Sequence, residues 1–330
     1  MTAGIGEPRG LTIRAVAGFV AGMGRRRKVR STPFREKNGR FPFNASGVVQ
    51  VDPRRFVFID NKDPTAFFEM TLDHHDGAVE RIRRRPLAGL APGMLGDPEG
   101  LTRADVRGET VLIASSSLCV TGRQVSDGLV RVRYVPEGDL PTEAMHGFRA
   151  WLLAHEPTLA AAGMREPDAG GLNIEGLAWD PRRSVLLFGL RGPATSGLIT
   201  VVQVPVDAGA AAWTTEALGA PTVAHARTPR PRAEQGIRDI SYDTHAGRFL
   251  LLLGRSTSNG KDPFQLCTWN GTSETVRALD TTFHRTAKPE GVTAFSAHGE
   301  QKLLLVDDSG GYAVLGAPGQ EKNSFDGLES

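Results

Sequence analysis

Asn173-Ile-Glu-Gly-Leu-Ala-Trp-Asp-Pro-Arg-Arg-Ser-Val-Leu-Leu-Phe-Gly-Leu-Arg191 contains a strand, a turn and a returning strand in one stretch. Glu-Gly opens an apolar run that ends at Asp180-Pro-Arg-Arg183, a hairpin turn in which proline fixes φ and aspartate bonds its own backbone. A second apolar run then returns and finishes in polar residues. Runs of about four to six β-prone residues between turn signals predict strands buried on both faces and paired antiparallel.

The unit recurs along the chain. Its openings are Asn44-Ala-Ser-Gly47, Asp97-Pro-Glu-Gly100, Gly236-Ile-Arg-Asp239 and Lys288-Pro-Glu-Gly291. The returning runs are Phe56 to Lys62, Val111 to Ser117, Leu250 to Arg255 and Leu303 to Asp308. Third and fourth strands follow in most copies, as at Ala66 to Leu72 with Val79 to Ile82, and Phe264 to Trp269 with Thr275 to Leu279. Four-stranded antiparallel units repeated about an axis are the blades of a β-propeller, and the shorter spacings match blade repeats of about 40 to 50 residues. The fold class is therefore all-β, a β-propeller, with five blades favoured and six the alternative.

The long intervals need insertions. Thr142 to Met164 predicts a helix, or two short helices broken at Pro157. Thr222 to Gln235 is proline- and arginine-rich and predicts a loop. The last blade stops short after Leu315, and a strand near Lys28 to Phe34 would complete it. The expected organisation is a leader over residues 1–33 that supplies the closing strand, a propeller over 34–316 and a disordered tail over 317–330.

With 40% apolar residues in 330 the chain can bury a large core, and a formal charge of +2 without a basic stripe gives no reason to expect nucleic acid. Cys119 and Cys267, both in strand-like contexts, fit a reducing compartment or indifference to it. The apolar stretch Leu11 to Met23 carries Arg14 within it and its basic cluster after it, so it matches neither a secretory signal nor a membrane span. A cytoplasmic protein is expected, and vesicle binding through the leader is the remaining membrane alternative.

In a propeller the first strand of each blade lines the channel and the second runs back beside it, so the motif residues meet the polar tails on one face. The expected inner ring is Ser46, Glu99, Glu175, Arg238 and Glu290, with Asp239 alongside. Asp60, Asn61, Lys62, Ser115, Ser116, Arg191, Arg255, Asp307 and Asp308 would surround it. Glu99, Glu175, Glu290, Asp60, Asn61, Asp239 and Asp307 are hard oxygen donors suited to Ca2+ or Mg2+. Arg191, Arg238, Arg255 and Lys62 would receive a small anionic molecule. Glu175 and Glu290 are the candidate acid and base of a metal-assisted hydrolase acting on an anionic ester or lactone. The alternative is a non-catalytic binding propeller in which the Glu/Arg ring latches blades together.

Other chemistry finds little support. His74-His75 reads as a hairpin tip, Ser115-Ser-Ser117 lacks a histidine partner and a nucleophile elbow, and no Walker or dinucleotide fingerprint appears, so no nucleotide cofactor is expected.

Ala45-Ser-Gly-Val48 with Asp60-Asn61, Ile174-Glu-Gly-Leu-Ala-Trp179, Gly189-Leu-Arg-Gly-Pro193 and Gly236-Ile-Arg-Asp239 resemble the markers of an uncharacterised bacterial propeller family, the domain of unknown function 3616. In its repeated Glu-Gly strands the chain is also distantly similar to the esterase-like phytase propellers. The resemblance runs from Phe34 to Leu315. It implies a propeller with a polar face and supplies no reaction.

Overall fold

The computed structural model describes residues 27–34, 43–73 and 77–316. Among them, five antiparallel units of four strands are arranged around one axis. The first comprises Ala45–Gln50, Arg55–Asp60, Ala66–Leu72 and Val79–Ala88. Pro98–Val106, Glu109–Ser116, Leu129–Arg133 and Leu140–Met145 form the second. The third contains Asn173–Asp180, Val185–Gly192, Leu198–Pro205 and Thr222–Arg227, and the fourth Gln235–Asp243, Arg248–Arg255, Gln265–Trp269 and Arg277–Ala278. In the fifth, Pro289–Ala297, Glu300–Asp307 and Gly311–Gly316 are joined by Thr32–Pro33, which pairs with Tyr312 and Gly311. The inner strands of neighbouring units adjoin one another in cyclic order, the fifth meeting the first.

The turns hold for the reason their residues suggest. Asp52 Oδ1 accepts from the Arg54 and Arg55 amides at 2.9 and 2.8 Å, and Asp180 Oδ1 accepts from Arg182 N at 3.0 Å. The motif glycines let inner strands approach. A Cβ on Gly100 would lie 2.6 Å from Leu177 Cβ of the next unit, and one on Gly47, whose φ is +46°, would lie 2.9 Å from Leu101 Cβ. Asp239 stands where its neighbours carry glycine, and its Oδ2 accepts from Val292 N of the next unit at 2.6 Å.

Two stretches differ from the sequence reading. Thr222–Arg227 is a strand, the outer edge of the third unit, because its Thr-Val-Ala-His-Ala-Arg alternation pairs along Leu198–Gln203; only the residues after it form a loop. Residues 142–145 belong to the last strand of the second unit, and the helices follow as Phe148–His155 and Pro157–Gly163. Pro157 starts the second helix, where its missing N–H costs nothing. Phe148, Leu152 and Leu159 pack with Ile174, Phe188 and Trp213, so the insertion covers the junction of the second and third units. Cys119 lies in a loop and Cys267 in a strand; both are buried and free.

No helix among the described residues is long and apolar enough to cross a membrane. His74 and His75, the tail from 317 onward and most of the leader lie outside the described residues.

Candidate functional site

Every inner strand slips by one residue against its partner at the motif. Glu99, Glu175, Arg238 and Glu290 each fall between two consecutive pairs, as Gly47 does in the first unit. Such a bulge leaves one residue out of the ladder and re-aims its side chain. The slip turns the four long side chains toward one another across the channel mouth.

They meet unequally. Arg238, 7% exposed, donates to both oxygens of Glu290, with Nε to Oε2 at 2.8 Å, and the same Nε lies 2.9 Å from Glu175 Oε2. Glu175 also accepts from Arg191 at 2.6 Å and from Asn173 Nδ2 at 3.3 Å. One guanidinium thus joins the third, fourth and fifth units. On the opposite side Glu99 meets only neutral donors, Ser46 Oγ at 2.8 Å and Asn61 Nδ2 at 3.4 Å.

The protonation states follow. Burial holds Glu99 well above the usual carboxylate range, and the charges of Glu175, Asp97 and Glu290 add to it against the Ser46 hydrogen bond. Burial likewise pushes Glu290 up to about 7, with Arg238 opposing and Glu175 reinforcing the shift. Burial works against the Arg238 charge, but Glu175 and Glu290 outweigh it and keep the guanidinium above its ordinary value. The mouth therefore holds an ion-paired side and a side where burial favours the neutral form of the Glu99 carboxyl.

Several polar atoms here lack a hydrogen-bond partner although buried: Ser115 Oγ, Asn173 Oδ1, Glu175 Oε2, Arg191 Nε and Arg238 Nη1. Glu175 Oε2 is left so because the Arg238 Nε–H points at Glu290. Such concentrations of unmet polar atoms call for an explanation, since buried polar groups are as a rule hydrogen-bonded.

The remaining candidates sit apart from this cluster. Asp239, raised by burial, accepts from Ile240 N and Val292 N. Asp307 accepts from Ser31 Oγ, Lys288 N and Ser309 N, which anchors the N-terminal segment. Asp60, also raised by burial, accepts from Lys62 N, while the Lys62 side chain is exposed. Arg255 lines a separate cleft.

Calcium requires six to eight converging oxygens, and among the described residues no three His, Cys, Asp or Glu side chains gather to hold a metal. The seven expected donors do not fit a calcium cage, because Asp239 and Asp307 direct both oxygens at local hydrogen-bond donors and Glu175 and Glu290 face arginines. The sequence reading missed Asn173 as a partner of Glu175 and the basic residues around Arg255. Asn173 was readable as the start of its own motif; the others lie on loops without a repeat.

A family model described as a protein of unknown function (DUF3616) matches residues 164–317. No curated protein matches the chain. Among solved structures, a GH43 β-1,3-galactosidase with galactodeoxynojirimycin is similar at 8% identity, with 86% of this chain and 92% of that chain covered and a TM-score of 0.50. An endo-arabinase from Bacteroides thetaiotaomicron VPI-5482 matches at 11% identity over 86% and 96% with a TM-score of 0.47. A β-propeller domain from Myceliophteria thermophila matches at 9% over 87% and 100% with a TM-score of 0.36. At 8% identity the likeness to the galactosidase is one of fold alone. The expected phytase similarity is not shown by these comparisons.

Proposed function

We propose that the channel mouth binds a small uncharged molecule rich in hydrogen-bonding groups, an ester or lactone, and that Glu99 gives it a proton. The observation that carries this reading is the contrast within the ring: Glu99 has only the neutral donors Ser46 and Asn61, and Ser115 Oγ, on the strand paired with its own, is buried without a partner. The charges of Arg191 and Arg238 face Glu175 and Glu290, so the ring offers no surplus cation to an anionic substrate. A protonated Glu99 can donate to a carbonyl or leaving oxygen. Glu290, at about 7, is the ring's group that changes state near neutrality and would take the proton of an attacking water.

A structural reading of the other half is favoured by Arg238, which ties three units together. The two are compatible: Arg238 and Glu175 latch the units, while Glu99 and Glu290 exchange protons with the ligand.

The test is hydrolysis of p-nitrophenyl acetate, γ-butyrolactone and gluconolactone by the full chain and by Glu99→Gln, each with and without EDTA. Turnover that EDTA leaves intact and Glu99→Gln abolishes supports the reading. Turnover retained in Glu99→Gln, or none with any probe and no ligand-induced rise in Tm, overturns it. A calcium-dependent rise in Tm lost in Glu175→Gln would favour metal-assisted chemistry instead.

A further inference from the structure

A second concave site lies between the fourth and fifth units, apart from the ring. It encloses about 710 Å3, within the range of about 300 to 1,000 Å3 typical of small-molecule sites. Its walls come from the loop after Arg248–Arg255, the strand Thr281–Phe283 and the segment leading into Pro289–Ala297.

Cations dominate these walls. Arg230, Arg255, Lys261, Arg285 and Lys288 line the cleft against two carboxylates, Asp262 and Asp280. Lys288 has only a loose contact with Asp308, at 3.9 Å, and Asp262 accepts from the Glu234 amide. Among the described residues no salt bridge joins Arg230, Arg255, Lys261 or Arg285 to a carboxylate, although Arg255 lies near enough to Asp168 to act on it: Ser258, then Arg191 and Arg255, hold its carboxyl below the usual range. The arginines of the ring are ion-paired, whereas these are not. Thr281 Oγ1 and Gln265 Oε1 are buried in the lining without a hydrogen-bond partner. The threonine hydroxyl can donate to an anion oxygen, and a half-turn of the glutamine amide presents its NH2.

The N-terminal segment adds to the field. Arg27–Val29 pairs in parallel with Thr281–Phe283, which brings Lys28 and Arg30 beside His284. Burial, then Lys28, Arg30 and Arg285, holds the His284 imidazole below its ordinary pKa, as expected where positive charges crowd without a counter-ion.

We infer that this cleft between the fourth and fifth units is a binding site for a small molecule carrying phosphate groups. Phosphate suits the wall because guanidinium groups bind its oxygens in forked pairs and Lys261 adds a point charge. The site is independent of the ring and stands whether or not Glu99 works as proposed.

The experiment is calorimetric titration of the full chain with pyrophosphate, with sodium chloride at matched ionic strength as reference. It is repeated on Arg255→Gln, Arg285→Gln and the exposed control Arg133→Gln, each checked by circular dichroism. The expected result is saturable binding that either cleft variant weakens about tenfold or more, while Arg133→Gln leaves it unchanged. Absence of saturable binding overturns the inference, as does binding that all three variants retain or that sodium chloride reproduces. If both cleft variants misfold, Lys261→Gln, at an exposed position, is read by the same criteria.

Discussion

Two buried charge clusters in this molecule differ in one respect. Between the first and second units, Glu69 (5% exposed) accepts from Arg83, Arg85 and the Tyr134 hydroxyl, while Arg85 (2% exposed) also donates to the carbonyls of Gly138 and Val135. None of their atoms lacks a partner. At the channel mouth, charges equally buried leave five polar atoms unmet, counting Ser115, Asn173, Glu175, Arg191 and Arg238. A closed network fixes a junction, and an open one keeps hydrogen-bonding capacity for something else. Burial and charge are shared by both; the two clusters differ in the completeness of their partners, and the proposed site rests on that difference.

The largest effect is expected in the closed cluster. Glu69→Gln leaves Arg85 buried without its counter-charge, and breaking such a pair costs about 3 to 5 kcal/mol. Denaturant midpoints measure this, and the pyrophosphate and ester assays should be unaffected in the folded variant. If Glu69→Gln proves as mild as changes at Glu99, completeness of partners does not separate the two clusters.

Arg238→Met comes next. It strips the guanidinium from Glu290 and half the pairing from Glu175. Glu290, already at about 7, can answer by taking up a proton, so the cost is smaller, about 2 to 3 kcal/mol at about pH 8, and shrinks toward pH 5. A loss independent of pH would contradict this account of the ion-paired side.

The repeat was legible because each copy carries its own turn chemistry: Asp180-Pro-Arg-Arg183 announces a hairpin whatever surrounds it, and the aspartate does bond the turn amides. Pro157 likewise announced a helix boundary. Thr222–Arg227 was hidden because the prolines and arginines after it resemble a loop, while its strand character comes from pairing with Leu198–Gln203, a long-range fact. The grouping of Ser46 with Glu99, and of Arg238 with Glu175 and Glu290, followed from aligning the copies. Which groups pair did not, since the one-residue bulge that aims each side chain leaves no mark in composition. For the same reason Asp239 and Asp307 read as ligands, although local amides take up their oxygens. Arg255 was grouped with Arg191 and Arg238 by register, and only the surrounding loops assign it to another cavity.

The smallest change in stability, and the sharpest use of the comparison, is expected at Glu99. Its folded pKa lies well above the 4.5 of a free glutamate side chain, so the native state keeps a proton that the unfolded chain releases. The stability this contributes is complete below 4.5 and is lost as pH rises toward the raised native value. Glu290 adds the same sign between 4.5 and about 7. Wild-type stability should therefore fall over that window. Glu99→Gln, which keeps the shape and a hydrogen-bonding amide but cannot ionise, should make the fall shallower. The variant should match the wild type to within about 1 kcal/mol at pH 5 and exceed it at pH 8. Chemical denaturation at a series of pH values measures both. A variant less stable at every pH would make Glu99 a member of a closed network like Glu69. One that is more stable at high pH and inactive would show a carboxyl kept at a cost to the fold, as expected of a group held ready for a ligand.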